Sequence, residues 1–212
     1  MNQIDTGWNM KFGFAENSYN AIDTYICTPE IFEDLMVELG DEVTDWCKLH
    51  FFSGKLAQAL ICPVKNKKPI ALLGCGTSED RTSGRFFLAA AAKKLPAGCY
   101  NIVSDIPLEN SKLEVLGWLM SQYNFTNYKS SSEVGDVKLV KPSDVDTAWI
   151  EAVLAGEVLA RDLINTPANY LGPEELEKSA RELAKQFNAK LEVISGDELI
   201  EKNFPMIHAV GA

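Results

Sequence analysis

Two hydrophobic periods alternate through much of the chain, and their alternation predicts an α/β fold. Short runs rich in apolar and β-branched residues have the length and composition of strands. They occupy residues 21–27, 59–64, 69–74, 100–104 and 137–140. Segments whose apolar residues recur every three or four positions indicate helices with one buried face. They cover residues 32–39, 43–52, 83–95 and 113–120. We expect a mixed sheet flanked by helices on both sides, with the runs at 59–64 and 69–74 paired as a hairpin.

A longer helical pattern follows and ends at a compact polar turn that we interpret as a hinge. Its predicted apolar stripe consists of Val145, Ala148, Trp149, Ala152, Val153, Leu159, Ala160 and Leu163. Thr166-Pro167 ends this helix, because proline has no amide hydrogen and biases the residue before it towards extended geometry. Gly172-Pro173 begins the next helix, with proline in the first turn, where a missing N–H costs nothing.

The last forty residues repeat the alternation on a smaller scale. A helix stripe is predicted at Leu176, Ala180, Leu183, Ala184 and Phe187. Strands are predicted at 191–194 and 207–210, with a short helix beginning at the capping-box pattern 195–198. Apolar faces in this part would need a partner elsewhere in the chain or in another chain. We predict three parts: a domain at 1–141, a linker helix and hinge at 142–172, and an incomplete α/β segment at 173–212.

The hinge also carries a resemblance to a known family. The stretch 161–169 and the following 172–176 resemble the segment that precedes the catalytic domain in the leucine aminopeptidase (cytosol aminopeptidase) family of metallopeptidases. The residues that carry it are Arg161, Asp162, Asn165, Thr166, Pro167, Asn169, Gly172 and Pro173. From the residues themselves, Asp162 is expected to hydrogen-bond between helix and domain, while Asn165 and Asn169 satisfy backbone groups in the turn. The likeness continues to residue 211.

The resemblance implies an amino-terminal domain similar in fold to macro domains, followed by the first units of a peptidase domain. It also implies a parent enzyme that removes amino-terminal residues from peptides with two divalent metals, zinc or manganese, and that assembles as a homohexamer. The family takes its metal ligands from a Gly-Lys-Gly…Phe-Asp-Thr-Gly-Gly stretch and an Asn-Thr-Asp-Ala-Glu-Gly-Arg stretch, and neither occurs in these residues. We therefore expect no catalytic residue, no metal site and no activity in this chain alone, with a role in assembly and site access.

Composition narrows the class of protein. The 212 residues are 46% hydrophobic and 24% charged, without an apolar run long enough to span a bilayer and without a basic or apolar leader, so we expect a cytoplasmic protein. The net charge of −10 would repel a phosphate backbone, which argues against nucleic acid as a partner. Five widely spaced cysteines without a CxxC pair predict buried free thiols.

One loop offers local chemistry of a different kind. Gly74, Gly76 and Thr77 follow a predicted strand and precede a predicted helix, an arrangement that binds phosphate through backbone amides in other proteins. The third glycine of a dinucleotide fingerprint and the P-loop lysine are missing, and Glu79 and Asp80 place negative charge where phosphate would sit. A tight strand-to-helix turn is the favoured interpretation. The alternative function is a stand-alone macro-like module that binds a nucleotide or ADP-ribose, and a weaker third is a shortened paralogue that binds a full-length enzyme.

The remaining polar and aromatic candidates favour structural roles. His50 and His208 are far apart in sequence and are expected to be ordinary core or surface histidines. Trp118 is expected to pack against the sheet, and the aromatic stretch 123–128 to lie in a core or interface.

Overall fold

The computed structural model describes residues 13–15, 18–82, 84–105, 110–125 and 136–211. Contacts within the chain divide it into two units, with the boundary between Leu159 and Ala160. We call the part that ends at Leu159 the amino-terminal unit and the part that begins at Ala160 the carboxy-terminal unit. The predicted three-part division, with boundaries after residues 141 and 172, stays a prediction.

A mixed sheet forms the centre of the amino-terminal unit. Its strands are β1 (Phe14–Ala15), β2 (Ile22–Cys27), β3 (Ala59–Cys62), β4 (Ile70–Gly74), β5 (Gly98–Ile102) and β6 (Val137–Val140). The described strands follow the order β1-β6-β5-β2-β4-β3, in which neighbours are parallel except for the antiparallel pair β3 and β4. The mixed sheet and the hairpin at 59–74 are therefore confirmed.

Helices cover both faces of this sheet, as predicted. They are α1 (Phe32–Leu39), α2 (Asp41–Leu49), α3 (Phe87–Ala92), α4 (Ser111–Ser121) and α5 (Thr147–Asn165). Strand β4 shows how the sides are assigned, because consecutive side chains of a strand point to opposite faces. Leu72 packs with the buried residues of α1 and α2, whereas Ala71 and Leu73 pack with those of α3, α4 and the first part of α5.

The buried stripe of α5 differs from the predicted one. Ile150, Leu154 and Val158 are the helix residues that are buried in the core, while Trp149 is 37% exposed. The Lys112 ammonium lies 4.4 Å from the centre of the Trp149 ring, so this indole covers a charged side chain at the surface. The sequence of α5 is apolar around much of its circumference, and only the helices and strands next to it select which stripe is buried.

The core around α4 agrees with prediction, whereas α3 is shorter than predicted. Trp118 is fully buried, and its Nε1 donates a hydrogen bond of 3.2 Å to the carbonyl oxygen of Val137 in β6. The helix predicted at 83–95 extends only over Phe87–Ala92, because Phe86 has a left-handed backbone with φ 61° that a helix cannot continue through. Within the aromatic stretch 123–128, Tyr123 packs against the core, and residues 126–128 lie outside the described residues.

The carboxy-terminal unit is helical in its described residues. After the end of α5 it contains α6 (Pro173–Gln186), α7 (Glu198–Glu201) and α8 (Pro205–Gly211). The predicted start at Gly172-Pro173 and a short helix at the end of the 195–198 pattern are confirmed. The predicted capping box is wrong, because the residue before this helix is Asp197 and its side chain makes no capping hydrogen bond. The strands predicted at 191–194 and 207–210 are wrong: the first segment is irregular and the second lies in α8. A strand needs a hydrogen-bonded neighbour, and this unit contains none among its described residues, whereas a helix satisfies its own backbone.

None of the helices in the described ranges combines the length and the apolar content that crossing a bilayer requires.

The five cysteines form no disulfide, and Cys27, Cys47, Cys62 and Cys75 are buried, as predicted, while Cys99 is half-buried.

Candidate functional site

The candidate ligand loop begins inside the fold. Gly74 and Gly76 are buried, and their amides donate to the carbonyl oxygens of Gln58 at 2.8 Å and Gly54 at 2.9 Å. The amide of Cys75 donates at 2.8 Å to the carbonyl oxygen of Cys27, at the end of β2. The first three amides of the loop are thus used to join it to neighbouring segments of the amino-terminal unit.

Carboxylates accept from the next two amides. Thr77 donates to Asp80 Oδ2 through both its backbone nitrogen, at 2.8 Å, and its Oγ1, at 2.9 Å. The backbone nitrogen of Ser78 donates to Oε1 of Glu30 at 3.1 Å. Hydrogen bonds from Thr77 hold the pKa of Asp80 below its ordinary value, and a hydrogen bond from Thr28 is the main cause of a lowered pKa at Glu30. Both groups are therefore charged at neutral pH.

This geometry is that of a closed turn. A phosphate bound by backbone amides needs several donors that point into open space and a local excess of positive charge. Here Asp80 and Glu30 already occupy the amides of Thr77 and Ser78 with negative charge of their own. Gly76 has φ +71°, and a Cβ atom at this position would lie 2.9 Å from Asp80 Oδ2. The glycine is explained by the tight turn itself.

Arg81 is a residue of this loop that the sequence analysis did not single out. Its Nη1 donates to the carbonyl oxygens of Gly76 and Cys75. Its positive charge also lowers the pKa values of Glu30, Asp80 and the buried Glu114 as a minor contribution at each. The only sequence indication was a single arginine directly after two acidic residues, and no periodicity marks its partners.

The hinge is a second place where predicted residues come together. Thr166 closes α5, because its backbone nitrogen and its Oγ1 both donate to the carbonyl oxygen of Asp162, at 3.0 and 2.6 Å. The carbonyl oxygen of Pro167 accepts from the amides of Tyr170 and Leu171, which makes the chain turn. These bonds satisfy backbone groups that a helix end leaves open.

The following helix is capped from within its own first turn. The backbone nitrogen of Gly172 donates at 2.9 Å to Oε2 of Glu175, and the carbonyl oxygen of Gly172 accepts from the amide of Leu176 at 3.1 Å. Pro173 occupies the first helical position, as predicted. Asn165, Pro167 and Asn169 are exposed. The family role assigned to the hinge residues stays a prediction.

The described part of the chain contains no set of side chains that could bind a metal ion. No group of three or more histidine, cysteine, aspartate or glutamate residues there is placed to hold an ion. The ring of His50 packs at a tilt of 46° against that of Trp46, with ring centres 4.5 Å apart, and His208 lies 3.5 Å from the carboxylate of Asp197 at the surface. The residues that the structure describes do not fit the two-metal centre that the family resemblance implies for the parent enzyme.

Comparison with known proteins identifies the family of this chain. The profile of the cytosol aminopeptidase family, catalytic domain, matches residues 158–212, which include the whole hinge. A probable cytosol aminopeptidase of Roseiflexus castenholzii is 33% identical over 206 residues, covering 84% of this chain and 41% of the relative. The chain belongs to the cytosol aminopeptidase family. A probable cytosol aminopeptidase of Chelativorans sp. is 31% identical over 170 residues, covering 70% of this chain and 34% of that protein.

Two solved structures show the same fold. The crystal structure of cytosol aminopeptidase from Coxiella burnetii superposes with a TM-score of 0.78 at 28% identity, covering 92% of this chain and 42% of that one. The bottromycin maturation enzyme BotP superposes with a TM-score of 0.63 at 21% identity, covering 85% of this chain and 41% of that one. The chain thus spans about two fifths of the length of these relatives.

Proposed function

We propose that this chain is the non-catalytic amino-terminal portion of a leucyl-type metalloaminopeptidase that removes amino-terminal residues from peptides. In this proposal the parent enzyme is cytoplasmic, binds two divalent metals, zinc or manganese, and assembles as a homohexamer. The amino-terminal unit, with a fold similar to macro domains, then serves assembly and access to the site. The family match supports the aminopeptidase part of the proposal.

The observation that carries the proposal is that α6 has the apolar stripe of a buried helix, yet this stripe is exposed. Leu176 and Leu183 of α6, and Phe187 directly after its last residue, follow a helical stripe, yet they are 51%, 40% and 61% exposed. No residue of α6, α7 or α8 is buried. A helix with such a stripe obtains most of its stability by burying it. Residues 158–212 match the catalytic-domain model of the family. In this proposal they form the first part of that domain, and the remainder of the domain covers the exposed face.

Two measurements on the purified 212-residue chain test the catalytic part. We expect no hydrolysis of an aminoacyl reporter amide with zinc or manganese, and no stoichiometric uptake of either metal in titration calorimetry. The full-length cytosol aminopeptidase of Coxiella burnetii serves as the positive control. Metal-dependent turnover by the purified chain would overturn the proposal.

A third measurement tests the structural part. Reading the coding sequence past the codon for Ala212 is expected to reveal the two metal-binding stretches that residues 1–212 lack. In the full-length product, the double substitution of Leu183 and Phe187 by glutamate is expected to reduce assembly and activity. Two charged side chains would then lie in an interface that the proposal makes apolar and closed to water. The same substitutions in the 212-residue chain should leave the amino-terminal unit folded. Unchanged assembly of the full-length variant would contradict the role given to this face.

The alternative, a stand-alone module that binds a nucleotide or ADP-ribose at Gly74, Gly76 and Thr77, gains no support from the loop. All five amides from Gly74 to Ser78 donate to acceptors of the protein. Titration with ADP-ribose is expected to give no heat of binding.

A further inference from the structure

A buried carboxylate that plays no part in the proposed function lies between two helices of the amino-terminal unit. Glu114 is in the first turn of α4, and only 5% of its surface is exposed. Its Oε2 accepts a hydrogen bond of 2.8 Å from the backbone nitrogen of Leu88. The backbone nitrogens of Phe86 and Phe87 also donate to this carboxylate. These amides belong to the start of α3, whose first amides have no partner within the helix.

The start of α3 has no capping residue of its own. The residue before its first turn is Phe86, which has a left-handed backbone (φ 61°, ψ 47°) and no side-chain hydrogen-bond acceptor. Helices ordinarily begin with serine, threonine, aspartate or asparagine at this position. Gly117, one turn after Glu114 on α4, lets the two helices approach, since a Cβ atom there would lie 2.6 Å from Cβ of Phe86. Two residues of α4 are thus fitted to the beginning of α3.

We propose that Glu114 caps α3 from the neighbouring helix and, by gaining or losing its proton, sets how firmly the first turn of α3 is held. An ionised carboxylate makes charge-assisted hydrogen bonds to amides, which are roughly twice as strong as neutral ones. A protonated one keeps its acceptor oxygen but loses the attraction of the charge to the amino-terminal end of the helix. The first turn of α3 is therefore tight when Glu114 is charged and looser when it is neutral.

Global stability responds in the opposite direction. Burial raises the pKa of Glu114 above its ordinary value, and the three amides and Arg81 offset this only in part. The folded chain then binds this proton more tightly than the unfolded chain does. Stability from this group is fully present below the unfolded pKa and is lost as pH rises through the higher folded pKa. The two responses are compatible because local opening separates the amides from a carboxylate that stays buried, whereas global unfolding returns the carboxylate to water.

The surrounding ionisable groups are few. Arg81 acts on Glu114 from the loop after β4, and Cys75, whose own pKa is raised partly by the charge of Glu114, lies on the same side. Helix α3 has no ionisable side chain between Phe87 and Ala92. On β6 the ionisable residue is Lys138, which is exposed, and on α4 itself it is Lys112, which contacts Trp149. Glu114 is thus the buried acidic group of this environment, and burial raises its pKa above the ordinary value.

Amide hydrogen exchange, resolved by residue, tests the proposal in the 212-residue chain. At about pH 7.5, E114Q is expected to raise exchange at Phe86, Phe87 and Leu88 about threefold to tenfold, because the amide keeps an acceptor but not the charge. As the pH is lowered stepwise through the range in which carboxyl groups become protonated, the wild-type rates, corrected for intrinsic exchange, should move towards those of E114Q. The control E33Q changes an exposed carboxylate in the first turn of α1 and should alter neither.

Thermal unfolding supplies the second readout. The melting temperature of the wild type relative to E114Q should increase as pH falls from about 7.5 to about 5. E114A, which leaves the three amides without an acceptor, should raise their exchange more than about tenfold and lower the melting temperature by several degrees. Equal exchange at the α3 start in wild type and E114Q, or a melting difference that does not depend on pH, would overturn the proposal. Should E114A fail to fold, E114Q still decides.

Discussion

The two units differ in whether their amphipathic helices bury their apolar faces. In the amino-terminal unit, stripes on α1 to α5 meet alternating strand residues and bury a core around Trp118, Tyr100 and Leu72. In the carboxy-terminal unit, the stripe of α6 is as regular, yet Leu183 and Phe187 stay substantially exposed. An amphipathic pattern therefore determines which face a helix can bury, and only a partner determines whether that face is buried.

The largest expected effect compares a core aromatic residue with an exposed one. Trp118→Ala should reduce the free energy of unfolding by about 3–5 kcal/mol, because it opens a cavity and leaves the carbonyl of Val137 without its donor. Phe187→Ala removes a ring that is 61% exposed and should cost less than about 1 kcal/mol. Urea unfolding followed by circular dichroism measures both. Similar losses for the two variants would mean that α6 is buried in solution.

A second comparison uses two glycines with positive φ. Gly76 has φ +71° with Asp80 and Leu56 in the path of a Cβ atom, while Gly196 has φ +58° with nothing within 4 Å. Gly196→Ala should cost about 1 kcal/mol from backbone strain alone. Gly76→Ala adds the clash and should cost about 2–4 kcal/mol. Differential scanning calorimetry of the two variants checks this, and a smaller cost at Gly76 would contradict the closed turn.

A third prediction tests whether the interior of the amino-terminal unit is closed to solvent, since all five cysteines lie in it. Burial raises the pKa of Cys27 and of Cys75 to about 12, so little thiolate is present at neutral pH. Half-buried Cys99 should react first with iodoacetamide, and the buried thiols should react at least about tenfold more slowly. Mass spectrometry of the peptides gives the rates, and the unfolded protein is the control. Fast labelling of Cys75 would show that the closed loop opens.

The smallest expected effect is the loss of one exposed ion pair, and it should be equally small in both units. Lys141 and Glu151 form a 2.9 Å ion pair in the amino-terminal unit, and Glu177 and Arg181 form one on α6. All four side chains are at least 33% exposed, so each pair contributes no more than about 0.5 kcal/mol. Glu151→Gln and Glu177→Gln should therefore change the urea midpoint little and equally. A loss above about 1 kcal/mol at either position would place that pair in a drier environment than described.

The local pattern predicted most elements of the amino-terminal unit but not all of its packing. The strands at 59–62, 70–74 and 137–140 and the helix 32–39 lie where periodicity places them. The stripe of α5 and the start of α3 were predicted differently, because both depend on contacts with α4 and the sheet. Among the site residues, Gly74, Gly76 and Thr77 do form one loop. The partners Glu30 and Glu114 are distant in sequence, while Arg81 lies in the loop itself, and no period connects the three.

The sequence by itself determined the order of helices and strands, the turn at Thr166-Pro167 and the family, because these depend on local backbone preferences and on short motifs. The tertiary structure decided which residues share an environment. It joined Glu30 and Asp80 to the loop amides and Glu114 to the start of α3, and it turned the predicted strand at 207–210 into a helix. The physical reason is that buried donors and acceptors must be paired, and in a folded chain the nearest partner is set by packing and not by distance along the sequence.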